Sequence, residues 1–134
     1  MTELEVQRKI FLDLRRNHAE VFMEVPVFSR SVDLIFREYN STEIRSMEIK
    51  LSNWRRAVTQ AIDHSLVVDR AYICIPELKK GISEDLKQLL EQTGIGLYLF
   101  RRTRNNIAYR KIVEAKRPNK LWKPARARLE SIFL

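Results

Sequence analysis

One stretch constrains this chain more than any other: Val32 to Lys50, VDLIFREYNSTEIRSMEIK, in which two apolar runs each carry a carboxylate and a polar segment joins them. In the first run Val32, Leu34 and Phe36 alternate with Asp33, Ile35 and Arg37; in the second Met47, Ile49 and Leu51 alternate with Glu48 and Lys50. A period of two is the signature of β-strands. Tyr39, Asn40, Ser41 and Thr42 supply turn chemistry between them. A hairpin that turns about the Asn40–Ser41 peptide sets Asp33 opposite Glu48 and Leu34 opposite Met47, and Lys50, two residues beyond Glu48, projects from the same face as Glu48. Opposed carboxylates on a pleat repel, a poor structural choice unless a cation lies between them and turns repulsion into coordination. The residues alone therefore point to a metal.

Asp33 followed by Glu48-Ile49-Lys50 resembles the motif of the PD-(D/E)xK phosphodiesterases, which include restriction enzymes, Holliday junction resolvases and repair nucleases. The resemblance implies an α/β fold with a restriction-endonuclease-like αβββαβ core, a central mixed sheet flanked by helices. It implies that Asp33 and Glu48 hold Mg²⁺ or Mn²⁺, with the Ile49 carbonyl able to add a third oxygen, and that Lys50 orients or activates the attacking water. Two further roles follow from it. An acidic residue of the first helix, here Glu3, reaches the metal or its water, and a glutamine of the helix after the motif, here Gln60, contacts the site or the DNA. The chain departs from the family pattern at Val32, where the family has Pro, and at His64, where relatives with the glutamine often carry Tyr.

The remaining elements follow from periodicity and punctuation. Residues 3–17 read as a helix with Leu4, Val6, Ile10, Phe11 and Leu14 on one side; Glu3 and Gln7 fall within that apolar face, and Glu5 opposite it. Val21 to Phe28 reads as a strand, with Pro26 marking an edge or a bulge; Glu24 sits where a further acid could approach the site, but one extra acid on a strand is ordinarily solvated. Ser52 or Asn53 can cap a helix from Trp54 to Val68, on which Trp54, Ala57, Val58, Ala61, Ile62, Ser65 and Val68 form the buried stripe and Arg56, Gln60 and His64 line one flank. A lone His there is ordinarily exposed or structurally satisfied. Arg70 to Pro76 is a strand buried on both faces, reached by a helical crossover. Ser83 caps a helix that Gly94 ends; Ile95 to Arg101 is a further buried strand, and Asn105-Asn106 turns it into Ile107 to Val113. A last helix begins near Pro124, with Ala125, Leu129, Ile132 and Phe133 inward and Arg126 and Arg128 facing away; Trp122 could stack a base or a sugar, but beside an amphipathic helix it is read as an anchor onto the core.

At 134 residues the chain is expected to form one domain, 1–134, with a core over about 1–100 and a basic hairpin and helix over about 101–134. Its 45% apolar content argues against disorder, and no apolar run approaches the roughly 20 residues that cross a bilayer. The single Cys74 lies in an apolar run, which excludes an internal disulfide and a Cys-based zinc site and makes a cytoplasmic setting the expectation. Charge is unevenly placed. Residues 101–134 hold 11 Lys and Arg against 2 Asp and Glu, whereas residues 1–100 hold 14 against 15, so the net +8 belongs to the C-terminal quarter. Such a segment suits a polyanion. The candidate phosphate contacts are Arg55 and Arg56 on the helix after the motif, then Arg101, Arg102, Arg104, Lys116, Arg117, Lys120, Lys123 and Arg126.

These features lead to a metal-dependent endonuclease, acting on nucleic acid and in particular DNA, as the expected function. No P-loop, GxSxG, HExxH or GxGxxG offers a rival chemistry. A non-catalytic nucleic-acid-binding protein that uses the basic arm, and a subunit that borrows the fold for assembly, are the competing classes. Cutting both strands of a duplex with one small domain would require a homodimer.

Overall fold

The computed structural model describes residues 1–133. Ten elements follow one another: α1 (Glu3–Arg16), β1 (Glu20–Val27), β2 (Arg30–Arg37), β3 (Arg45–Ile49), α2 (Trp54–His64), β4 (Arg70–Pro76), α3 (Glu84–Thr93), β5 (Gly96–Arg102), β6 (Ile107–Val113) and α4 (Lys123–Ser131). The strands form one six-stranded sheet in chain order, antiparallel at β1–β2–β3, parallel through β3–β4–β5, and antiparallel again at β5–β6. Two parallel strands need a crossover, and α2 and α3 provide them. The expected αβββαβ order and mixed sheet are present, and β5, β6 and α4 extend them.

Each sheet face buries its own apolar cluster. Val6 and Ile10 of α1 pack with Leu34, Phe36, Met47, Ile49 and Cys74 on one side. On the other, Ala57, Val58 and Ala61 of α2, Leu86 and Leu90 of α3, and Leu129 and Phe133 of the C-terminal segment cover Ile35, Ile73 and Leu97. Capping follows the sequence. Thr2, Asn53 and Ser83 accept backbone N–H groups of α1, α2 and α3, and Gly94 ends α3 at φ 74°, where a left-handed turn suits glycine.

The β2–β3 register is the one the turn predicted, with Leu34 opposite Met47, Ile35 opposite Ser46 and Phe36 opposite Arg45. The alternation within β2 is not perfect, however. Leu34 and Phe36 belong to the cluster under α1, whereas Val32 packs in the opposite one with Ile35. The strand therefore breaks its pleat around Asp33, and beside it, in β1, Glu24 takes the left-handed φ of 54°. The bend occurs where the carboxylates collect.

Several other expectations are corrected. Leu4 is exposed, and Gln7 is buried in the face that Leu4 was expected to share. Helix α2 stops at His64, before the expected Val68; Val67 and Val68 reach the core through the turn after it, which leaves Ile62 exposed and Ser65 partly so. His64 is itself buried, with Nδ1 unpartnered. Arg126 does not face away: it turns inward onto the buried Asp69, because a buried carboxylate requires a cationic partner. Trp122 is 56% exposed and stacks on Phe28 instead of anchoring onto the core.

Candidate active site

Where the β2–β3 ladder ends at Leu34 and Met47, side chains take over from backbone pairing. Asp33 Oδ2 accepts the Ile49 N–H at 2.8 Å, and Glu48 Oε1 lies 3.4 Å from the Asp33 N–H that it accepts. Each carboxylate is thus held by the other's strand, which aims both into the same space. Glu48 is 3% exposed and Asp33 half-buried. Lys50 continues the parallel pairing of β3 through its N–H to Cys74 O, 3.1 Å away.

Both helical layers reach this point. From α2, Gln60 turned with its amide nitrogen toward Glu48 donates to Oε2 at 2.9 Å and accepts from Arg30 Nη1 at 3.3 Å; the reverse orientation would set acceptor against acceptor. From α1, Glu3 Oε2 accepts the Leu51 N–H at 3.0 Å. The buried Gln7 donates to Glu24 Oε1 at 2.9 Å and to the Asp33 carbonyl at 3.2 Å. Glu24, flanked by the ladder pairs Met23–Leu34 and Val25–Val32, stands beside Asp33 and accepts from the Ser31 hydroxyl at 3.0 Å. Three carboxylates therefore lie in a row across three adjacent strands.

The electrostatic consequence is a poised pair. Burial, chiefly, pushes the Asp33 carboxyl up to about 6; the Ile49 N–H opposes this, the charge of Glu24 adds to it, Lys50 opposes it and Glu3 adds to it. Burial and then the neighbouring Asp33 charge push Glu48 up to about 7 against the pull of the Asp33 N–H and Lys50. A carboxyl whose folded pKa is raised contributes stability that is complete below about pH 4, and that contribution is lost as pH rises through about 6 and 7. Buried His64, lowered to about 4 by burial, works in the opposite direction: its contribution is complete above about 6.5 and is lost as pH falls. The pair is therefore read by difference. In EDTA, Asp33→Asn should match wild type in melting temperature at about pH 4 or just below, where Asp33 is protonated in both states, and exceed it near pH 8, where the native Asp33 is fully charged. Equal melting temperatures at both pH values would show that the pair carries no net repulsion.

The predicted residues divide into those that the fold brings together and those that it separates. Asp33, Glu48, the Ile49 backbone, Lys50, Gln60 and Glu3 converge at the end of the sheet where β3, β4 and β5 finish. Arg55 and Arg56, both exposed, open α2 just beyond Lys50; Arg55 stacks on Trp54 and pairs with Asp85. Arg101, Arg102 and Arg104 sit in the β5–β6 hairpin at that same end, Arg101 beside Glu77. Lys116 and Arg117 lie at the opposite end: the Lys116 N–H donates to Gly94 O, and Arg117 reaches Glu43 and Asp69 ahead of β3 and β4. The C-terminal quarter is therefore not one continuous basic surface. Because β6 runs antiparallel to β5, it carries the chain away from the hairpin before the second half of the charge appears. Arg126 is drawn inward, while Lys120 and Lys123 stay exposed around Trp122. Reasoning from sequence missed Gln7 as a site residue; its one signal was a polar residue inside the apolar face of α1.

No protein-family model matches the chain, and no curated protein matches it. Among solved structures it is similar to a protein of unknown function from Silicibacter pomeroyi, with a TM-score of 0.63, 18% identity, and coverage of 98% of this chain and 82% of that one. At that identity the likeness is one of fold. SfsA from Pyrococcus furiosus, solved in complex with Ca²⁺, overlaps more loosely, with a TM-score of 0.42, 18% identity, and coverage of 85% of this chain and 61% of that one.

Proposed function

We propose that this protein is a metal-dependent nuclease that hydrolyses phosphodiester bonds in DNA. The observation that carries the reading is the meeting of Asp33 and the buried Glu48, two carboxylates held toward one another although burial raises the pKa of both and the Asp33 charge raises that of Glu48 further. Folding maintains that arrangement against burial and charge, and a hard cation would offset both. Among the described residues no three His, Cys, Asp or Glu side chains form a metal-binding group of their own. Mg²⁺ suits such a half-built cage, because it is commonly held by one or two carboxylates together with waters and substrate phosphate.

When bound, Mg²⁺ or Mn²⁺ supplies Lewis-acid charge to the phosphate oxygens and to the attacking water. Asp33 and Glu48 would hold it, and Ile49 orients Asp33 through its N–H. Gln60 fixes the second Glu48 oxygen and ties it to Arg30. Lys50 keeps a cation beside the pair, where it orients the water or stabilises the charge that grows as the phosphodiester is attacked. Glu3 borders the site through the Leu51 N–H, and its carboxylate can accept from a bound water. Arg55, Arg56 and the β5–β6 hairpin provide phosphate contacts on the same side of the molecule.

The test is cleavage by the wild-type protein of plasmid, linear duplex, single-stranded and four-way-junction DNA in Mg²⁺, Mn²⁺ or EDTA. Cleavage in at least one metal arm and none in EDTA is the expected result. If no substrate is cut and neither metal changes the melting temperature, the nuclease reading fails.

A further inference from the structure

Between the tip of the β1–β2 hairpin and the start of α4 lies a surface that the catalytic reading does not use. Phe28, at the tip of the β1–β2 hairpin, and Trp122, at the N-cap of α4, stack with ring centroids 5.2 Å apart and planes 28° from parallel, yet the residues remain 45% and 56% exposed. Large aromatic rings ordinarily hide such area, so a stacked pair left in solvent is the informative exception. The backbone is fixed at both positions. Phe28 adopts a φ of 57°, a costly conformation for a bulky side chain, and the Trp122 N–H donates to Leu66 O at 2.7 Å while its carbonyl accepts the Arg126 N–H at 3.0 Å. Trp122 also borders an open, mainly apolar groove lined by Leu66, Leu121, Lys120 and Lys123.

We infer that the Phe28–Trp122 stack is a platform for an unpaired base of single-stranded DNA entering the site. This rests on the proposed function for its substrate and names the class: DNA with a single-stranded segment, such as a flap or a branch. Two features select this occupant. The first is charge: Lys120, Lys123 and Arg126 line the groove at Trp122, so the apolar surface adjoins cations in the manner of a backbone-tracking groove. The second is continuity: Arg30 bonds Gln60, which bonds Glu48, so the hairpin that carries Phe28 also reaches the carboxylate pair through Arg30. A π-face finds its complement in a base whose own face is free, and in a duplex the neighbouring pairs occupy those faces. The platform therefore favours single strands over duplex without reading sequence.

Binding is measured in EDTA by fluorescence anisotropy, with one mixed-sequence oligonucleotide offered single-stranded and as a duplex, so the outcome does not depend on whether the protein cleaves. Trp122→Ala and Phe28→Ala should each weaken single-strand binding by about tenfold or more while changing duplex binding less than about twofold. The slope of log affinity against log salt should stay unchanged, because neither substitution removes a charge. In a Trp54→Phe background Trp122 is the sole tryptophan, and single strands should quench its emission more than duplex does. The proposal is overturned if Trp122→Ala leaves single-strand affinity intact, if both forms weaken equally, if quenching is absent, or if the variants shift a dimer to monomer in sedimentation and so mark the stack as a self-contact. Thermal melting of each variant checks that the fold survives, and quenching of the Trp54→Phe protein decides the matter should Phe28→Ala unfold.

Discussion

Asp33→Asn should reduce metal-dependent cleavage to below about a thousandth of wild type and should also abolish the rise in melting temperature that Mg²⁺ confers. The two effects have one cause. Asp33 is oriented by the Ile49 N–H and faces Glu48, so replacing it removes a hard anionic oxygen while leaving an amide of the same shape. A ligand that binds only the folded chain stabilises it by about 2.7 kcal/mol at a hundredfold excess over Kd, a rise of roughly 10 °C for a domain of this size. Lys50→Ala separates binding from chemistry. It should lower turnover by about 10²- to 10⁴-fold and keep the metal-dependent melting increment, because Lys50 acts on water and phosphate and not as a ligand. If Lys50→Ala changes only substrate affinity, the lysine is an ordinary phosphate contact. If Asp33→Asn keeps the Mg²⁺ increment, the carboxylate pair is not the metal site.

The largest expected loss of stability lies at the opposite end of the sheet. Asp69 is 5% exposed and accepts the Ile44 N–H at 2.8 Å and Arg126 Nη2 at 3.0 Å, with Arg117 3.5 Å away. These donors hold its pKa below the usual carboxylate value even though burial pushes the other way. Arg126 also donates to Val67 O at 3.1 Å, so this one guanidinium joins α4 to the turn before β4. Asp69→Ala leaves the Ile44 N–H without its acceptor and Arg126 with only Glu130 and the Val67 carbonyl, and should cost about 3 kcal/mol in urea unfolding. Asp69→Asn keeps an acceptor for Ile44 and should cost distinctly less. A loss under about 1 kcal/mol for Asp69→Ala would show that water replaces the carboxylate at little cost. The same contacts change how a C-terminal truncation must be read: removing α4 would strip Leu129 and Phe133 from the core together with Arg126, so point substitutions at Arg101, Arg102 and Arg104 are the cleaner probe of phosphate binding.

What was legible in the sequence was what short-range patterns encode. Alternation and the Asn40–Ser41 turn determined the β2–β3 register, because a slip of one residue would move every apolar side chain to the wrong face. Ser83 and Gly94 bracketed α3 through caps that act within one helical turn, and the near-continuous apolar run of Arg70 to Pro76 marked a strand covered on both sides. Asp33, Glu48 and Lys50 could be placed together since all three lie on that one hairpin. The tertiary structure alone decided the rest. Only packing of α1 across the sheet brings the buried Gln7 to Glu24 and to the Asp33 carbonyl, and only strand pairing on the far side of Asp33 sets Glu24 in the row. The inward turn of Arg126 and the stacking of Trp122 on Phe28 depend on partners distant in sequence. Periodicity states which face of an element avoids water; it does not state which charge or ring waits there. Where a cation goes is set by the field of its final neighbours, and that field exists only once the chain has folded.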